Sequence, residues 1–490
     1  MERLPEELIA AICDHCDHAS LKNARAVDHR LLAASTPGVF RHFYMGLFEH
    51  SLAHLEKLAK SPIRKHVKKL TIWSDVLPNF TKDAWFKIID QRPTYSEWMA
   101  PYRTADAGLG AREAKAQRVK DYEKLIRRNL TEEQVEQGYA AYLKAVSSQL
   151  HWRQYRLMLP FQEYFSMLPN LVEASVKCTT PFAGRRNDWP VWKSLRRSML
   201  VDPDNWLYNT DCQEENYAYL SGHAAVSLLA AVGHRASYAD KSEIKSLTVH
   251  SSHLDSYRKL LMDARALPEL PHMNAIRAYG ILDGFVNLTN LHLHVPHATL
   301  SSRLGGNSTG SEIMEMLECS RNLQRLDLRY GDDELSPDDD VEQIEALFIR
   351  GGSELIWPKI EHLALATNIA GQILIEFIRK HACTLKSLEL RDMLIHDVDS
   401  AMEQIPRVTT LQHVYMECLW TDADQDSSMD FICVFSRGTD FDDRYEKAVK
   451  KYLLGRSDAL PKIKRDGGLS TVEDWNNDDL DMADTSEDED

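Results

Sequence analysis

A six-residue unit with aliphatic side chains at its first, fourth and sixth positions recurs eight times along the chain, and it constrains the fold more than any other feature. Around the last two aliphatic positions, polar residues alternate with apolar ones, which is typical of a β-strand that has one face in a core. Eight copies of one strand pattern indicate a repeat architecture. The units begin at Val67, Leu171, Ile244, Leu288, Leu323, Ile360, Leu385 and Leu411.

The spacing between these units is irregular. From Leu247 onward the central aliphatic residues lie 44, 35, 37, 25 and 26 residues apart. The stretches between units have helical periodicity, which predicts helices at 224–232, 254–266, 312–318, 341–348 and 371–379. The pattern resembles a degenerate leucine-rich repeat. That resemblance implies an α/β fold, an irregular solenoid whose parallel strands line its concave face.

The length of 490 residues exceeds what one hydrophobic core supports, since single cores stop growing at about 250 to 300 residues. We therefore expect three regions. Residues 1–45 form a short helical motif, 46–456 form the repeat domain, and 457–490 form a disordered acidic tail. A helical insertion interrupts the repeats at about 105–165, where Thr131 and Gln134 are spaced as a capping box.

Charge and cysteine usage limit the partners. Ten acidic residues and no Lys or Arg lie between Val472 and Asp490, so most of the net charge of −16 belongs to the tail, and a nucleic-acid partner is disfavoured. The eight scattered cysteines, and the charged residues that follow Met1, predict a cytoplasmic or nuclear protein without disulfides. The longest apolar run, Ala224 to Val232, is too short for a membrane span.

The first residues predict a helix, because Pro5 suits a first helical position and Glu6 and Glu7 favour the positive end of the helix dipole. Ser20 is expected to cap a second helix, and Thr36 and Pro37 to start a third. Three helices this short bury too little apolar surface to be stable alone. We therefore expect them to pack against neighbours.

The segments LPEEL, ASLKNARAVDHRLLAAST and PGVFRHFYM together resemble the F-box motif of the fungal type. The resemblance implies that the motif binds a Skp-type adaptor and, through it, a cullin-RING ubiquitin ligase. Leu31 stands where many members of the family have tryptophan. Its apolar adaptor-facing and core positions correspond to Leu4, Pro5, Leu8, Ile9, Ile12, Leu21, Val27 and Leu31. The alternative is that these helices only cap the repeat domain.

Three patterns could carry chemistry. Ser308 lies in a G-x-S-x-G sequence, but about ten loop residues separate it from the preceding strand, whereas a nucleophile elbow follows its strand directly. Cys13 and Cys16 could open a zinc site, but they fall on an apolar helical stripe and no second pair follows at suitable spacing. The third pattern is a group of possible metal-binding imidazoles, better interpreted as exposed strand positions: His250, His292, His294 and His297. We expect no catalytic residue, metal or cofactor.

Alternation along each repeat strand places its polar residues together on the concave face. Aromatic residues and arginine most often dominate interface energy. The expected target-binding residues are Trp73, His250, His292, His294, Arg329, Arg391 and Tyr415. The sequence therefore predicts a substrate-recognition subunit of a cullin-RING ligase, with an unidentified protein target. The alternative is a leucine-rich-repeat scaffold without ligase function.

Overall fold

The computed structural model describes residues 4–74, 77, 81–83, 119–120, 131–153, 158–177, 214–238, 243–249, 280–295, 316–330, 356–367, 369–422, 431–435, 440–457 and 459–461. The chain divides into two units. The first comprises residues 1–332 and 357–359, and the second comprises residues 333–356 and 360–490.

The first unit begins with three short helices and continues with strands and longer helices. The helices are α1 (Glu6–Asp14), α2 (His18–Ala24), α3 (His29–Phe40), α4 (Glu49–Ala59), α5 (Glu132–Arg153), α6 (Met158–Ser166), α7 (Glu214–Ala236) and α8 (Ile281–Phe285). The strands are β1 (His42–Gly46), β2 (Lys69–Trp73), β3 (Glu173–Lys177), β4 (Ser246–Val249), β5 (Asn290–Val295) and β6 (Arg325–Tyr330). A 3₁₀ turn, Pro62–His66, leads into β2.

The strands of the first unit pair in chain order, and every described pairing from β1 to β6 is parallel. The pairing is also in phase, because the central aliphatic residues of successive repeats lie opposite one another: Leu70, Ala174, Leu247, Leu291 and Leu326. All five are at most 1% exposed, so the repeat leucines build one continuous core. The predicted parallel repeat strands are confirmed.

A second ladder of backbone hydrogen bonds precedes the strands. The amide of Val172 donates to the carbonyl of Lys68 (3.0 Å), that of Lys245 to Val172 (2.8 Å), and that of Thr289 to Lys245 (2.9 Å). Gln324 continues the series by donating to Thr289 (2.8 Å). Each of these residues is the second of its six-residue unit, so the repeats are equivalent outside the strands as well.

The second unit also contains parallel repeat strands with helices between them, but its last strand is antiparallel. Its elements are β7 (His362–Ala366), β8 (Ile369–Ala370), α9 (Gly371–His381), β9 (Ser387–His396), α10 (Val398–Val408), β10 (His413–Asp422), β11 (Phe431–Phe435) and α11 (Asp440–Leu453). Strands β7, β9 and β10 pair in parallel and in phase. The short β8 also pairs with β9, whereas β11 runs antiparallel to β10.

The predicted insertion contains α5, whose start is the capping box expected from the sequence. The amide of Thr131 donates to Gln134 Oε1 (3.0 Å), and the amide of Gln134 donates to Thr131 Oγ1 (3.2 Å). The helix is not only a solvated surface feature, because Tyr142 and Trp152 are at most 2% exposed. Helix α5 therefore contributes to the core of the first unit.

The opening helices differ from the prediction in their boundaries. Asp17, rather than Ser20, caps α2 by accepting a hydrogen bond from the amide of Ser20 (2.7 Å). No separate helix starts at Thr36; instead, α3 begins after Asp28, which accepts from the amide of Leu31 (2.8 Å), and continues through Pro37. The end of the expected 1–45 motif also differs, since residues 42–46 form β1.

Several sequence-based predictions concern residues outside the described part of the chain. They include the helices at 254–266 and 341–348, most of the acidic tail, and His250, His297 and Ser308. The predicted helices at 224–232 and 371–379 lie within α7 and α9.

Candidate protein-interaction surfaces

The helices α1, α2 and α3 share a small apolar core. Its buried members are Ile9, Cys13, Leu21, Leu31 and Val39, and Leu4, Cys16, Ala24, Ala34 and Phe40 pack around them. The core brings together four of the eight residues expected to contact an adaptor: Leu4, Ile9, Leu21 and Leu31. Three of these, Ile9, Leu21 and Leu31, are at most 8% exposed. They hold the helices together and offer no surface to a partner.

Other apolar residues of these helices face outward. Leu8 is 51% exposed, Ile12 is 55% exposed and Val27 is 65% exposed. Leu8 and Ile12 lie one turn apart on α1, so they share a face of that helix. Leu32, which the sequence did not single out, is 40% exposed, and Pro5 is exposed as well. We call Leu8, Ile12, Val27 and Leu32 the exposed helical residues.

Cys13, on α1, and Cys16, just after that helix, both belong to the apolar core. Burial raises the pKa of the Cys13 thiol, which favours its neutral form. Nearby Asp17 is engaged as the cap of α2. Within the described ranges, no group of three or more His, Cys, Asp or Glu side chains is placed to hold a metal ion.

The polar residues of β1–β6 form three rows across the strands of the first unit, in the register that the parallel pairing fixes. The first row is His42, Lys69, Glu173, Ser246, Asn290 and Arg325. The second row is Tyr44, Thr71, Ser175, Thr248, His292 and Asp327. The third row contains Trp73, Lys177, His294 and Arg329. We call this surface the strand face.

One end of the strand face is held by a chain of hydrogen bonds. His42 Nε2 lies 2.8 Å from Thr71 Oγ1, which lies 2.7 Å from Ser175 Oγ. Thr71 and Ser175 are each 1% exposed. Burial, reinforced by the charges of Lys69 and Lys177, lowers the pKa of His42 to about 3. His42 is therefore neutral at physiological pH, and this end of the face is structural.

The other end of the strand face is half-buried and contains a histidine–carboxylate pair. His292 Nδ1 lies 2.6 Å from Asp327 Oδ2, across neighbouring strands β5 and β6. In the next row, His294 of β5 lies opposite Arg329 of β6 in the strand register. The two histidines thus lie on the same face, as alternation predicts, but His292 is engaged with a carboxylate.

In the second unit, Tyr415 is the centre of a cation–aromatic cluster. Arg391 Cζ lies 4.9 Å from the Tyr415 ring centroid, and Lys450 Nζ of α11 lies 5.2 Å from it. The Tyr415 hydroxyl donates to Glu417 Oε2 (2.8 Å), and Arg391 pairs with Glu389. The sequence placed Arg391 and Tyr415 on one surface. It missed Lys450, because nothing in the α11 pattern indicates a contact with β10.

The sequence pattern also did not predict β1, which adds His42 and Tyr44 to the strand face. The segment 42–46 lacks the spaced aliphatic residues of the repeat units, so the only available signal was its short run of aromatic residues. Among the described residues, no helix is long and apolar enough to cross a membrane.

Comparisons with known proteins show no family for this chain. No family model matches the sequence, and no curated protein matches it. Among solved structures, one match is the leucine-rich repeat-containing protein LegL7 from Legionella pneumophila, at 13% identity and a TM-score of 0.23. The match covers 62% of this chain and 87% of that chain. The in-phase parallel strands themselves are compatible with a leucine-rich-repeat-like solenoid.

Proposed function

We propose that this chain is the substrate-recognition subunit of a cullin-RING ubiquitin ligase of the SCF type. In this proposal α1–α3 bind a Skp-type adaptor, and the strand face binds the protein to be ubiquitinated. The observation that carries it is the division of α1 into two apolar faces. Ile9 and Cys13 are buried in the helical core, whereas Leu8 and Ile12, one residue earlier in each case, are more than half exposed.

Exposed apolar residues gain free energy when a partner covers them. Burying one Leu or Ile side chain fully is worth about 1.5 to 3 kcal/mol, so each half-exposed residue would contribute roughly half of that on binding. The exposed helical residues can therefore supply the apolar centre of an interface. The F-box resemblance of residues 4 to 45 gives the partner its class, a Skp-type adaptor.

The ligase role uses proximity. An adaptor held at α1–α3 and a target held at the strand face would both be bound to one chain, which raises the effective concentration of target lysines near the ligase. This role requires no covalent chemistry and no cofactor from the chain. It places the protein in the cytoplasm or nucleus, where such ligases act.

Affinity purification from cells tests the proposal. The tagged chain should recover a Skp-type adaptor and a cullin, and the L8E/I12E double variant should lose both. Leu159 of α6 provides a matched control, because it is 70% exposed and lies outside α1–α3. The L159E variant should recover the adaptor normally. Failure of the unmodified chain to recover an adaptor, or full recovery by L8E/I12E, would rule out the ligase role.

A repeat scaffold without ligase function is the second candidate. It is favoured by the in-phase core of the first unit, which would present the strand face whether or not an adaptor is bound. In that case α1–α3 serve as a cap of the sheet next to β1. A purified set of partners that lacks both adaptor and cullin would support it.

A further inference from the structure

The charges on the strand face of the first unit are unevenly distributed. Its three rows contain two acidic residues, Glu173 and Asp327. Glu173 pairs with Lys69, and Asp327 pairs with His292, so both acids are engaged within the first two rows. The third row has cations and no acid among its described residues, although the whole chain carries a net charge of −16.

The two cations of the third row have unused hydrogen-bonding capacity. Arg329 Nε is buried and makes no hydrogen bond to the described residues. Such a buried donor is unfavourable unless an acceptor reaches it. The Lys177 side chain is exposed and forms no ion pair within the described part of the chain. A carboxylate partner would therefore not have to compete with a described ion pair at either group.

The register fixes the separation of these two cations. Lys177 lies on β3 and Arg329 on β6, so three strand spacings separate them, about 14 Å at roughly 4.8 Å per strand. An extended peptide advances about 3.3 Å per residue, so this distance corresponds to about four residues. Residues four apart in an extended segment point to the same side, so both of their side chains can face the strand face.

We propose that the third row binds an extended acidic segment of a protein partner. Two carboxylates spaced four residues apart accept hydrogen bonds from Lys177 and Arg329, and Trp73, half-buried beside Lys177, packs against the peptide at one end. Because this site is part of the target-binding face, it rests on the proposed function and specifies the chemistry of the target. Two cations are too few for a duplex nucleic acid, whose binders make about 6 to 10 phosphate contacts.

Fluorescence anisotropy with the full chain tests the site. The probe is a labelled peptide with the core sequence Glu-Ser-Ser-Ser-Glu flanked by glycines, and the reference probe has Gln at both Glu positions. We expect the Glu peptide to bind at least tenfold more tightly. The K177Q and R329Q substitutions should each weaken its binding at least fivefold, and the charge-preserving K177R should bind nearly as well as the unmodified chain.

Lys57 gives the matched control, because it is exposed on α4 and its K57Q substitution removes the same charge. Thermal unfolding of each variant checks that the fold is retained. Equal binding of the Glu and Gln peptides would overturn the proposal. So would equal weakening by K57Q and K177Q, which would mean non-specific attraction. A peptide with phosphoserine at both positions that binds while the Glu peptide does not would show that the ligand class is wrong.

Adaptor capture on the same preparations separates this site from the ligase role. Captured adaptor without peptide binding would overturn the acidic-peptide site alone. Peptide binding without adaptor capture would overturn the ligase role and leave the strand face as the binding site of a scaffold.

Discussion

The guanidinium group of Arg235, near the end of α7, donates a hydrogen bond to the carbonyl oxygen of Leu171, 3.3 Å away and two residues before β3. It also donates to the carbonyls of Pro169 (3.2 Å) and Phe165 (3.4 Å). Arg235 is only 2% exposed. One buried cation therefore connects α7 to the end of α6 and to the turn between α6 and β3.

Replacement of Arg235 by methionine should destabilise the first unit by about 2 to 4 kcal/mol, because it removes three hydrogen bonds that a buried guanidinium group donates to backbone carbonyl oxygens. Hydrogen–deuterium exchange should show lost protection at residues 158–177. The K60M variant is the control, since Lys60 forms an exposed ion pair with Glu56 of α4, and the loss of such a pair should change the stability little. Unchanged protection in R235M would contradict this role.

Acidification should destabilise the first unit through His42. Its pKa is about 3 in the fold and 6.5 in the unfolded chain, so the unfolded chain binds the proton more readily. Stability contributed by neutral His42 is present above pH 6.5 and is lost as the pH falls toward 3. The H42Q variant, which keeps a side-chain donor and acceptor near Thr71, should lose less thermal stability than the unmodified chain between pH 7 and 5. An equal loss in both would contradict the assignment.

Alanine at Gly233 should disrupt the crossing of α7 and α8. A Cβ atom there would overlap the carbonyl oxygen of Gly280, which is backbone and cannot simply rotate away. Overpacking of this kind costs about 1 to 3 kcal/mol. The thermal midpoint of the first unit should fall. Gly455 provides a comparison, because its Cβ position is open and only its positive φ of 67° opposes substitution, so G455A should be milder.

Tryptophan at Leu31 should weaken the helical core without improving adaptor binding. Leu31 is 8% exposed and packs among α1–α3, so a larger ring has no room there. Exchange protection of residues 4–40 should fall in L31W, and adaptor capture should not rise. Stronger capture with protection unchanged would mean that position 31 contacts the adaptor directly.

The repeat strands could be predicted from the sequence because alternation has a period of two, which fixes both the strand and the face of each side chain. The eight six-residue units became β2–β7, β9 and β10, and the polar residues of β2–β6 formed cross-strand rows. Thr71 and Ser175 could not be predicted as buried, since small hydroxyl residues in a strand read as polar whether or not their neighbours enclose them.

The helical motif was predicted less completely. Helical spacing groups Leu8, Ile9, Ile12 and Cys13 into one stripe, yet the structure divides them between a buried and an exposed side. At 100° per residue, neighbouring positions point in different directions, and only tertiary packing decides which side is covered. The run of α3 through Pro37 was also missed, because a proline usually marks a helix start or end.

The exposed apolar face of α1 is the basis of the ligase proposal, and direct titration tests it best. A purified Skp-type adaptor should bind the purified full chain in calorimetric titration, with affinity reduced at least tenfold by L8E/I12E and unchanged by L159E. Absence of binding to the unmodified chain, or equal binding by all three proteins, would contradict the assignment of α1–α3 as an adaptor site.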